Sequence, residues 1–456
     1  MKSIRFNIAL LGVLLLAYAH SAQADVRLPA LFSDHMVLQQ STAIPVWGWA
    51  EPGESVTVTI AGQKQSTKAG AGGKWRIKLR QLKPGGPKTL TVAGKNTIVI
   101  NDVMIGEVWL GSGQSNMAMP VSGARNFEVE RTSSNLPQIR MFKVESPGAK
   151  EEQEDCKGRW QICSPETVGP FSATLFFTGR EIHKALNVPV GLINSSVGAT
   201  AIEAWISPEA QRASEELRPH VSKLENLGEL FNGKIAPLVP YPIRGALWYQ
   251  GEANANSEAG AHYYKHQLPL LIQDWRSRWG NNFPFAWVQL PNFGGRSNGW
   301  CLVRDGQLKS LAIPHTGMAI TVDIGESGNI HPKNKQEVGH RLSLWALGEV
   351  YGKKVAATCG PVPDQHKIQG NEFVVTFKHT NGGLVSRDGS LRGFELAGAD
   401  KLWRPASARI VANHVIASCP DLPNPVALRY AWRDNPDCNL YNGAGLPASP
   451  FRTDLW

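Results

Sequence analysis

The chain has 456 residues, of which 42% are hydrophobic and 19% are charged, and its formal net charge at pH 7 is +9. This length and composition are typical of a globular protein with two or three domains and enough apolar side chains for a core. Lysine and arginine are scattered without a basic run, which argues against a surface that binds nucleic acid.

The first 24 residues predict a signal peptide. Lys2 and Arg5 precede the apolar run "IALLGVLLLAYA", which is short for a bilayer span, and "AQA" at 22–24 supplies small residues for cleavage. The mature chain should begin at Asp25, and losing Lys2 and Arg5 lowers the net charge from +9 to +7. We therefore expect a periplasmic or secreted protein that does not insert into the membrane after signal cleavage.

Six cysteines are compatible with disulfides in an oxidising compartment, and their spacing fits no zinc pattern. Cys156 and Cys163 are close enough in sequence to close a small loop. The sequence does not determine which cysteines pair, so this bridge is left open.

Residues 25–103 are predicted to form an N-terminal β domain. The runs "AIPVWGWA", "ESVTVTIAG", "KWRIKLR" and "KTLTVAG" are rich in β-branched or aromatic residues and are separated by Gly, Pro and Asn. Residues 355–456 contain similar runs, including "NEFVVTFKH", "RGFELAG", "ARIVANHVIAS" and "VALRYAW". We therefore expect β-rich, sandwich-like regions at both ends of the mature chain.

Residues 104–354 alternate apolar strands with helices. The strand-like runs are "VMIGEVWL", "VPVGLIN", "IRGALWYQ", "FPFAWVQL" and "GMAITVD". The helix-like runs are "SATLFFTGREIHKAL", "PEAQRASEELRPHVSKL", "AHYYKHQLPLLIQDWRSRW" and "KQEVGHRLSLWALGEVY". This alternation predicts an α/β domain with a parallel sheet covered by helices on both faces. Ligands bind such sheets beyond the carboxyl ends of the strands, which directs attention to Ser115, Gly251 and Asp323.

Ser115 lies in "GSGQSNM" (111–117), where the first of these strands passes into a short helical turn that Pro120 limits. A serine here projects its hydroxyl over the sheet edge, near the positive end of the turn, and needs a base to act as a nucleophile. The segment is not G-x-S-x-G, because residue 117 is Met, and it is not a dinucleotide motif, because residue 116 is Asn. Serines are common in turns, so Ser115 alone decides nothing.

Three further residues could complete a catalytic site with Ser115. His331 lies in "DIGESGNIHP" (323–332), a strand-to-helix loop at the same sheet end, and could take the serine proton. Gly198 and Asn254 also follow strands, and a main-chain N–H and a side-chain amide there could donate to an oxyanion. Taken singly, His331 could be a structural loop residue, Gly198 a turn glycine and Asn254 a helix N-cap.

The order Ser115, Gly198, Asn254 and His331, each after a strand of one α/β domain, resembles the pattern of SGNH-type esterases. The segments "WLGSGQSNMAMP", "RGALWYQGEANA" and "IHPKNKQEVGHRL" are similar to those of the sialate O-acetylesterase family. The opening "LFSDHMVLQ" and the closing "LRYAWRDNPDCNLYNGAGLPASPF" extend this resemblance over nearly the whole mature chain.

The resemblance implies an SGNH-type, flavodoxin-like sheet and the removal of O-acetyl groups from sialic acids or plant-polysaccharide sugars. It implies Ser115 as nucleophile, His331 as base, and Gly198, Asn254 and the Ser115 main-chain N–H as oxyanion donors. It implies no metal or organic cofactor, and the expected partner is an O-acetylated sugar or polysaccharide.

One departure from the resemblance concerns the partner of His331. Many bacterial relatives carry an aspartate two residues before the histidine, but this chain has Asn329. Asp323, Glu326, Asn329 or a main-chain carbonyl could orient His331. We favour Asp323 or a carbonyl, because Asp323 lies at a strand end near the site and such partners need not be sequence neighbours.

Two other function classes are kept as alternatives. A glycosidase needs two carboxylates across a cleft, and Glu252 with Glu203 or Asp323 could supply them. A non-catalytic carbohydrate-binding protein could use Trp205 and Trp248 as stacking platforms.

Overall fold

The computed structural model describes residues 25–225 and 227–456. The predicted signal peptide, residues 1–24, lies outside the described residues. Within the described residues, no helix combines the length and the apolar character needed to cross a membrane.

Seven strands, β1 to β7, open the described chain. Their bounds are Val37–Gln39, Ile44–Trp49, Ser55–Ile60, Gln63–Lys68, Lys74–Leu79, Gly85–Ala93 and Thr97–Gly113. Strand β3 pairs antiparallel with β4 and β6, and β2 pairs antiparallel with β5. Every second side chain of β3 and β5 is buried, as expected for strands with one face on a core.

Strand β7 connects this β region to the centre of the molecule. Its first half pairs antiparallel with β6, and residues 104–106 pair parallel with β1. The strand therefore continues through residue 103, where the N-terminal domain is predicted to end. Its second half is buried throughout and ends just before Ser115.

Six more strands, β8 to β13, build a large mixed sheet around β7. Their bounds are Leu136–Lys143, Trp160–Cys163, Val190–Ser196, Gly245–Tyr249, Phe285–Val288 and Thr316–Ala319. The order is β13-β12-β11-β7-β10-β8-β9. All neighbours are parallel except β8 and β9, so the carboxyl ends of β7, β10, β11, β12 and β13 meet at one edge.

In the part of the chain that the structure describes, eight α-helices, α1 to α8, accompany this sheet. Their bounds are Ser115–Ala118, Phe127–Thr132, Ala173–Leu186, Pro208–Ala213, Arg218–Val221, Glu258–Trp279, Gly299–Lys309 and Lys335–Trp345. Successive side chains of β11 enter different hydrophobic clusters: Leu247 and Tyr249 pack with α3 and α8, while Ala246 and Trp248 pack with α6 and α7. The predicted α/β organisation with helices on both faces is confirmed.

The predicted helices differ from the observed ones in two places. The run 208–224 is not one helix, because the chain is extended at Ser214 and separates α4 from α5. Helix α7 is not predicted, because glycine opens it at Gly299 and its side chains are buried almost all round, without an amphipathic period. Helix α6 continues through Pro269 without a break.

The C-terminal region consists of ten strands, β14 to β23. Their bounds are Val362–Gln369, Glu372–Lys378, Leu384–Ser386, Phe394–Ala397, Trp403–Pro405, Ser407–Val411, His414–Ser418, Ala427–Tyr430, Leu440–Asn442 and Phe451–Arg452. They form three antiparallel sheets around a hydrophobic cluster of their own. Arg304 of α7, fully buried, donates to the carbonyls of Arg433 and Asp434 and so holds this region to the central domain.

All six cysteines are free thiols in the structure. The thiol of Cys163 lies 3.4 Å from the carbonyl oxygen of Ser134, and Cys156 is also buried. Burial raises the pKa of both thiols to about 12. The bridge that the spacing allows between them is therefore not formed here.

Candidate active site

Ser115 is the first residue of α1, and only Gln114 separates it from the end of the long strand β7. The turn requires glycine at residue 113, which has a φ of +131° and whose added Cβ would lie 2.2 Å from the carbonyl oxygen of Tyr249. The main-chain N–H of Gln114 donates to that same carbonyl. Strands β7 and β11 are therefore joined at their ends, and Ser115 is held half-buried above the sheet edge.

His331 meets Ser115 across 216 residues of sequence: its Nε2 lies 2.8 Å from Ser115 Oγ. This distance suits proton transfer between a serine hydroxyl and a neutral imidazole. Burial, and then the positive charge of Lys335, lower the pKa of His331 from its usual value of 6.5. The imidazole is therefore neutral at pH 7 and able to accept a proton.

Gly198 lies against the serine. A Cβ added to it would contact only Ser115, at 3.5 Å from Ser115 Cβ. The N–H of Val197 donates to the carbonyl of Gly113, which anchors this loop to the end of β7. Within the described residues, the main-chain N–H groups of Ser115 and Gly198 have no hydrogen-bond acceptor. Two main-chain donors without an acceptor therefore belong to residues that lie against each other at the serine.

Asn254 is buried in a short 3-10 turn, Asn254–Asn256, after β11. Its Oδ1 accepts from Ile202 N and Gln250 Nε2, and its Nδ2 donates to Glu203 Oε2 at 2.9 Å. These contacts fix both the position and the orientation of the amide. One Nδ2 hydrogen remains for a substrate oxygen. The N-cap of α6 is Ser257 instead, so Asn254 does not cap that helix.

Glu203 is the buried carboxylate that holds Asn254. It also accepts from His220 Nε2 at 2.6 Å and from Gln267 Nε2 at 2.7 Å. Burial acts to raise its pKa, but these hydrogen bonds, led by His220, keep the pKa below the usual 4.5. Sequence reasoning missed this supporting role, because the partners come from three distant segments.

Asp323 does not orient His331, which corrects the Asp323 part of the sequence-based preference for Asp323 or a main-chain carbonyl. Its two oxygens bind Arg341 at 2.6 and 2.9 Å, and Tyr441 OH lies 3.3 Å from Oδ2. Arg341 lies on α8, 18 residues after Asp323 in the sequence, and binds the carboxylate through a bidentate pair of hydrogen bonds. Glu326 is likewise engaged, by Asn329 and by the N–H of Lys333.

The alternative sites are not supported by the geometry. Trp205 and Trp248 are fully buried and pack edge to face at 6.0 Å, so they are core residues and not stacking platforms. Glu252 is buried and bonded to Asn116, while Glu203 and Asp323 are occupied as described above. None of these three carboxylates is therefore free to form a catalytic pair across a cleft. The described residues contain no cluster of three or more His, Cys, Asp or Glu side chains able to hold a metal ion.

Known proteins resemble this chain over most of its length. A sequence model of the family described as "Carbohydrate esterase, sialic acid-specific acetylesterase" matches residues 105–347. The sialate O-acetylesterase of Homo sapiens is 32% identical, over 94% of this chain and 93% of the relative. That of Mus musculus is 29% identical, over 96% and 97%.

The structure is also similar to a solved one. The crystal structure of a carbohydrate acetylesterase from Xanthomonas citri matches with a TM-score of 0.88 and 38% identity. The match covers 94% of this chain and 100% of that one, so all three regions of the fold take part.

Proposed function

The chain belongs to the sialate O-acetylesterase family and is an esterase, and on this premise we propose that it releases acetate from O-acetylated sugars through an acyl-enzyme on Ser115. The observation that carries the proposal is the 2.8 Å contact between Ser115 Oγ and His331 Nε2, beside two unpaired main-chain donors. A serine needs such a base to become a nucleophile.

In the first half of the reaction, Ser115 Oγ attacks the acetyl carbonyl carbon while His331 Nε2 takes the serine proton. The carbonyl oxygen becomes an oxyanion that the N–H groups of Ser115 and Gly198 and the free amide hydrogen of Asn254 stabilise. Each such donor contributes about 2.7–4 kcal/mol to acyl transfer. The intermediate then expels the sugar oxygen, which receives the proton from His331, and the acetyl group stays on Ser115.

In the second half, water replaces the sugar. His331 takes a proton from water, the oxygen attacks the acetyl carbon, and the same donors hold the second oxyanion. Collapse breaks the bond to Ser115 Oγ, which recovers its proton from His331, and acetate leaves. The reaction consumes one water per acetyl group and needs no cofactor.

We also assign the central domain to the SGNH type. In support, Ser115, Gly198, Asn254 and His331 follow four parallel strands of one sheet, β7, β10, β11 and β13, and occur in the order of that class. The β-rich regions 25–103 and 355–456 then flank the catalytic domain at both ends of the mature chain.

Acetate release from a panel of acetylated glycans tests the proposed function. The panel contains O-acetylated sialic acid, acetylated xylan and acetylated xyloglucan, with 4-nitrophenyl acetate as a general substrate. We expect the mature chain to hydrolyse the aryl acetate and to release acetate from at least one glycan. If the protein hydrolyses none of the four substrates, the proposed esterase mechanism is excluded.

We propose that the protein is exported and cleaved after Ala24, because Lys2 and Arg5, the apolar run and "AQA" form a signal peptide. Intact-mass measurement of periplasmic or secreted protein should give a chain that begins at Asp25. Mature material that retains residues 1–24 would contradict export by this route.

A further inference from the structure

The way in which His331 is held differs from that of a histidine in a Ser-His-Asp triad. In a triad, a carboxylate accepts the Nδ1 hydrogen and fixes the ring. Here, within the described residues, Nδ1 of His331 has no hydrogen-bond partner from the protein, and Asp323 and Glu326 are both bound elsewhere. The main chain around His331, by contrast, forms hydrogen bonds through the carbonyls of residues 330–332 and through the N–H of His331.

Asn329 lies in the same loop as His331 and binds both the main-chain N–H and the main-chain carbonyl of His331. Its Oδ1 accepts from His331 N at 3.0 Å, and its Nδ2 donates to His331 O at 3.0 Å. The Nδ2 group also donates to Glu326 Oε2. Because the amide serves as acceptor and as donor, an aspartate could reproduce only half of this arrangement.

Asn116 connects the same loop to the nucleophile. It follows Ser115 directly, is fully buried, and donates from Nδ2 to Ile330 O at 2.9 Å and to Glu252 Oε1 at 2.5 Å. Its Oδ1 accepts from Lys335 Nζ at 2.7 Å. The residue next to the serine therefore binds the residue next to the histidine.

Lys335 is the third residue whose side chain binds the main chain of this loop. Its ammonium is fully buried and donates to Asn116 Oδ1 and to Pro332 O, each at 2.7 Å, and it lies 5.4 Å from the ring centre of Tyr249. Lys335 is also the first residue of α8, where the helix dipole disfavours a positive charge. The stability of α8 therefore does not explain why a lysine is buried at this position. The two hydrogen bonds that Lys335 donates beside His331 do explain it.

We propose that Asn116, Asn329 and Lys335 position His331 against Ser115 by binding the main chain of residues 330–332, and that this bracket of three side chains replaces the orienting carboxylate of a triad. The inference rests on the proposed Ser115–His331 mechanism and deepens it. The three side chains bind the carbonyls of residues 330, 331 and 332 and the N–H of His331. They are positioning residues, because none of them touches the reacting atoms.

The bracket also places a positive charge beside the base. Burial lowers the pKa of Lys335 to about 7, against the opposing effects of Glu252 and Glu326. Lys335 is therefore mostly charged at the lower pH values where His331 titrates, and its charge helps to lower the pKa of His331 below 6.5. Activity requires neutral His331, so kcat/KM should fall only as the pH drops through this lowered pKa.

The test compares Lys335→Met with Lys333→Met, using 4-nitrophenyl acetate and a full pH profile. Lys333 is an exposed neighbour in the same loop. Lys335→Met should lower kcat by about 10–100-fold with little change in KM, because the base loses its alignment. It should also move the acidic limb of kcat/KM to higher pH, since the pKa of His331 rises when the charge is removed. Lys333→Met should do neither.

Asn329 provides a second variant pair in a half-exposed loop, where folding is less at risk than with buried Lys335. Asn329→Ala should lower kcat by about tenfold without moving the acidic limb, because Lys335 stays in place. Asn329→Asp keeps the acceptor for His331 N, loses the donor and adds a charge beside Glu326, so its kcat should fall below that of the wild type. A rise in kcat for Asn329→Asp would overturn the inference, since it would show that the site lacks a carboxylate.

Failure of the inference can be separated from failure of the proposed function. If the wild type is inactive, or if Ser115→Ala retains activity, the proposed mechanism itself fails. If the wild type is active and Ser115→Ala is not, while folded Asn329→Ala and Lys335→Met both keep wild-type kcat and pH profile, only the bracket is refuted. A reduced kcat in Lys335→Met without any shift of the acidic limb would also refute the charge effect assigned to Lys335.

Discussion

Ser115→Ala is expected to lower kcat for 4-nitrophenyl acetate by about 10⁴–10⁶-fold, with the fold intact. The variant loses the only atom that can form the acyl-enzyme, while the N–H groups of Ser115 and Gly198 remain to bind the ester. Among the residues that the structure describes, His331 is the only hydrogen-bond partner of Ser115 Oγ, so the variant loses no other side-chain hydrogen bond there. Steady-state kinetics and a thermal melt of the purified variant check both parts of this expectation.

Ser122→Ala is the matched control for this variant. Ser122 is exposed, lies seven residues further along the chain, and its side chain makes no hydrogen bond within the described residues. The control should keep wild-type kcat and melting temperature. Full activity in a well-folded Ser115→Ala protein would rule out Ser115 as the nucleophile.

Asn254→Ala is expected to lower kcat by about 10²–10³-fold with little change in KM, because its amide binds the oxyanion and not the ground-state ester. The variant also removes the hydrogen-bond partner that Asn254 supplies to Ile202 N and to Glu203 Oε2 in a buried site, and one of the two hydrogen bonds of Gln250 Nε2. We therefore expect a lower melting temperature together with the kinetic loss.

Gln267→Ala separates these two effects. It removes another buried hydrogen bond to the same carboxylate, Glu203, without removing the amide of Asn254. This control should lose stability but less than about tenfold in kcat. If Asn254→Ala raises KM and leaves kcat unchanged, Asn254 binds the substrate and is not an oxyanion donor.

The parallel sheet explains why much of the site could be predicted. Ser115, Gly198, Asn254 and His331 each follow a strand, and parallel strands bring their carboxyl ends together whatever the sequence distance between them. The apolar strand patterns were therefore enough to place Ser115 and His331 in one region. The 2.8 Å contact between them is a finer result that only the coordinates supply.

Residues whose role depends on tertiary partners could not be predicted in the same way. The sequence allows Asp323 as a partner of His331, but in the structure Arg341 on α8 donates to both carboxylate oxygens of Asp323. In the sequence alone, Trp205 and Trp248 fit a surface stacking platform as well as a core position. Only their packing against each other shows that they belong to the core. The role of Lys335 has no signal in the sequence, because its two acceptors come from the serine turn and the histidine loop.

The most direct test of the central claim is covalent labelling of the mature protein with an organophosphonate, followed by intact-mass measurement and peptide mapping. The account predicts one adduct per chain, located on Ser115 and absent in Ser115→Ala. It also predicts slower labelling in Asn329→Ala, because His331 activates Ser115 Oγ for the reaction with the phosphonate as it does for the attack on the ester. Labelling of another residue, or equal labelling of Ser115→Ala and the wild type, would contradict a nucleophilic Ser115.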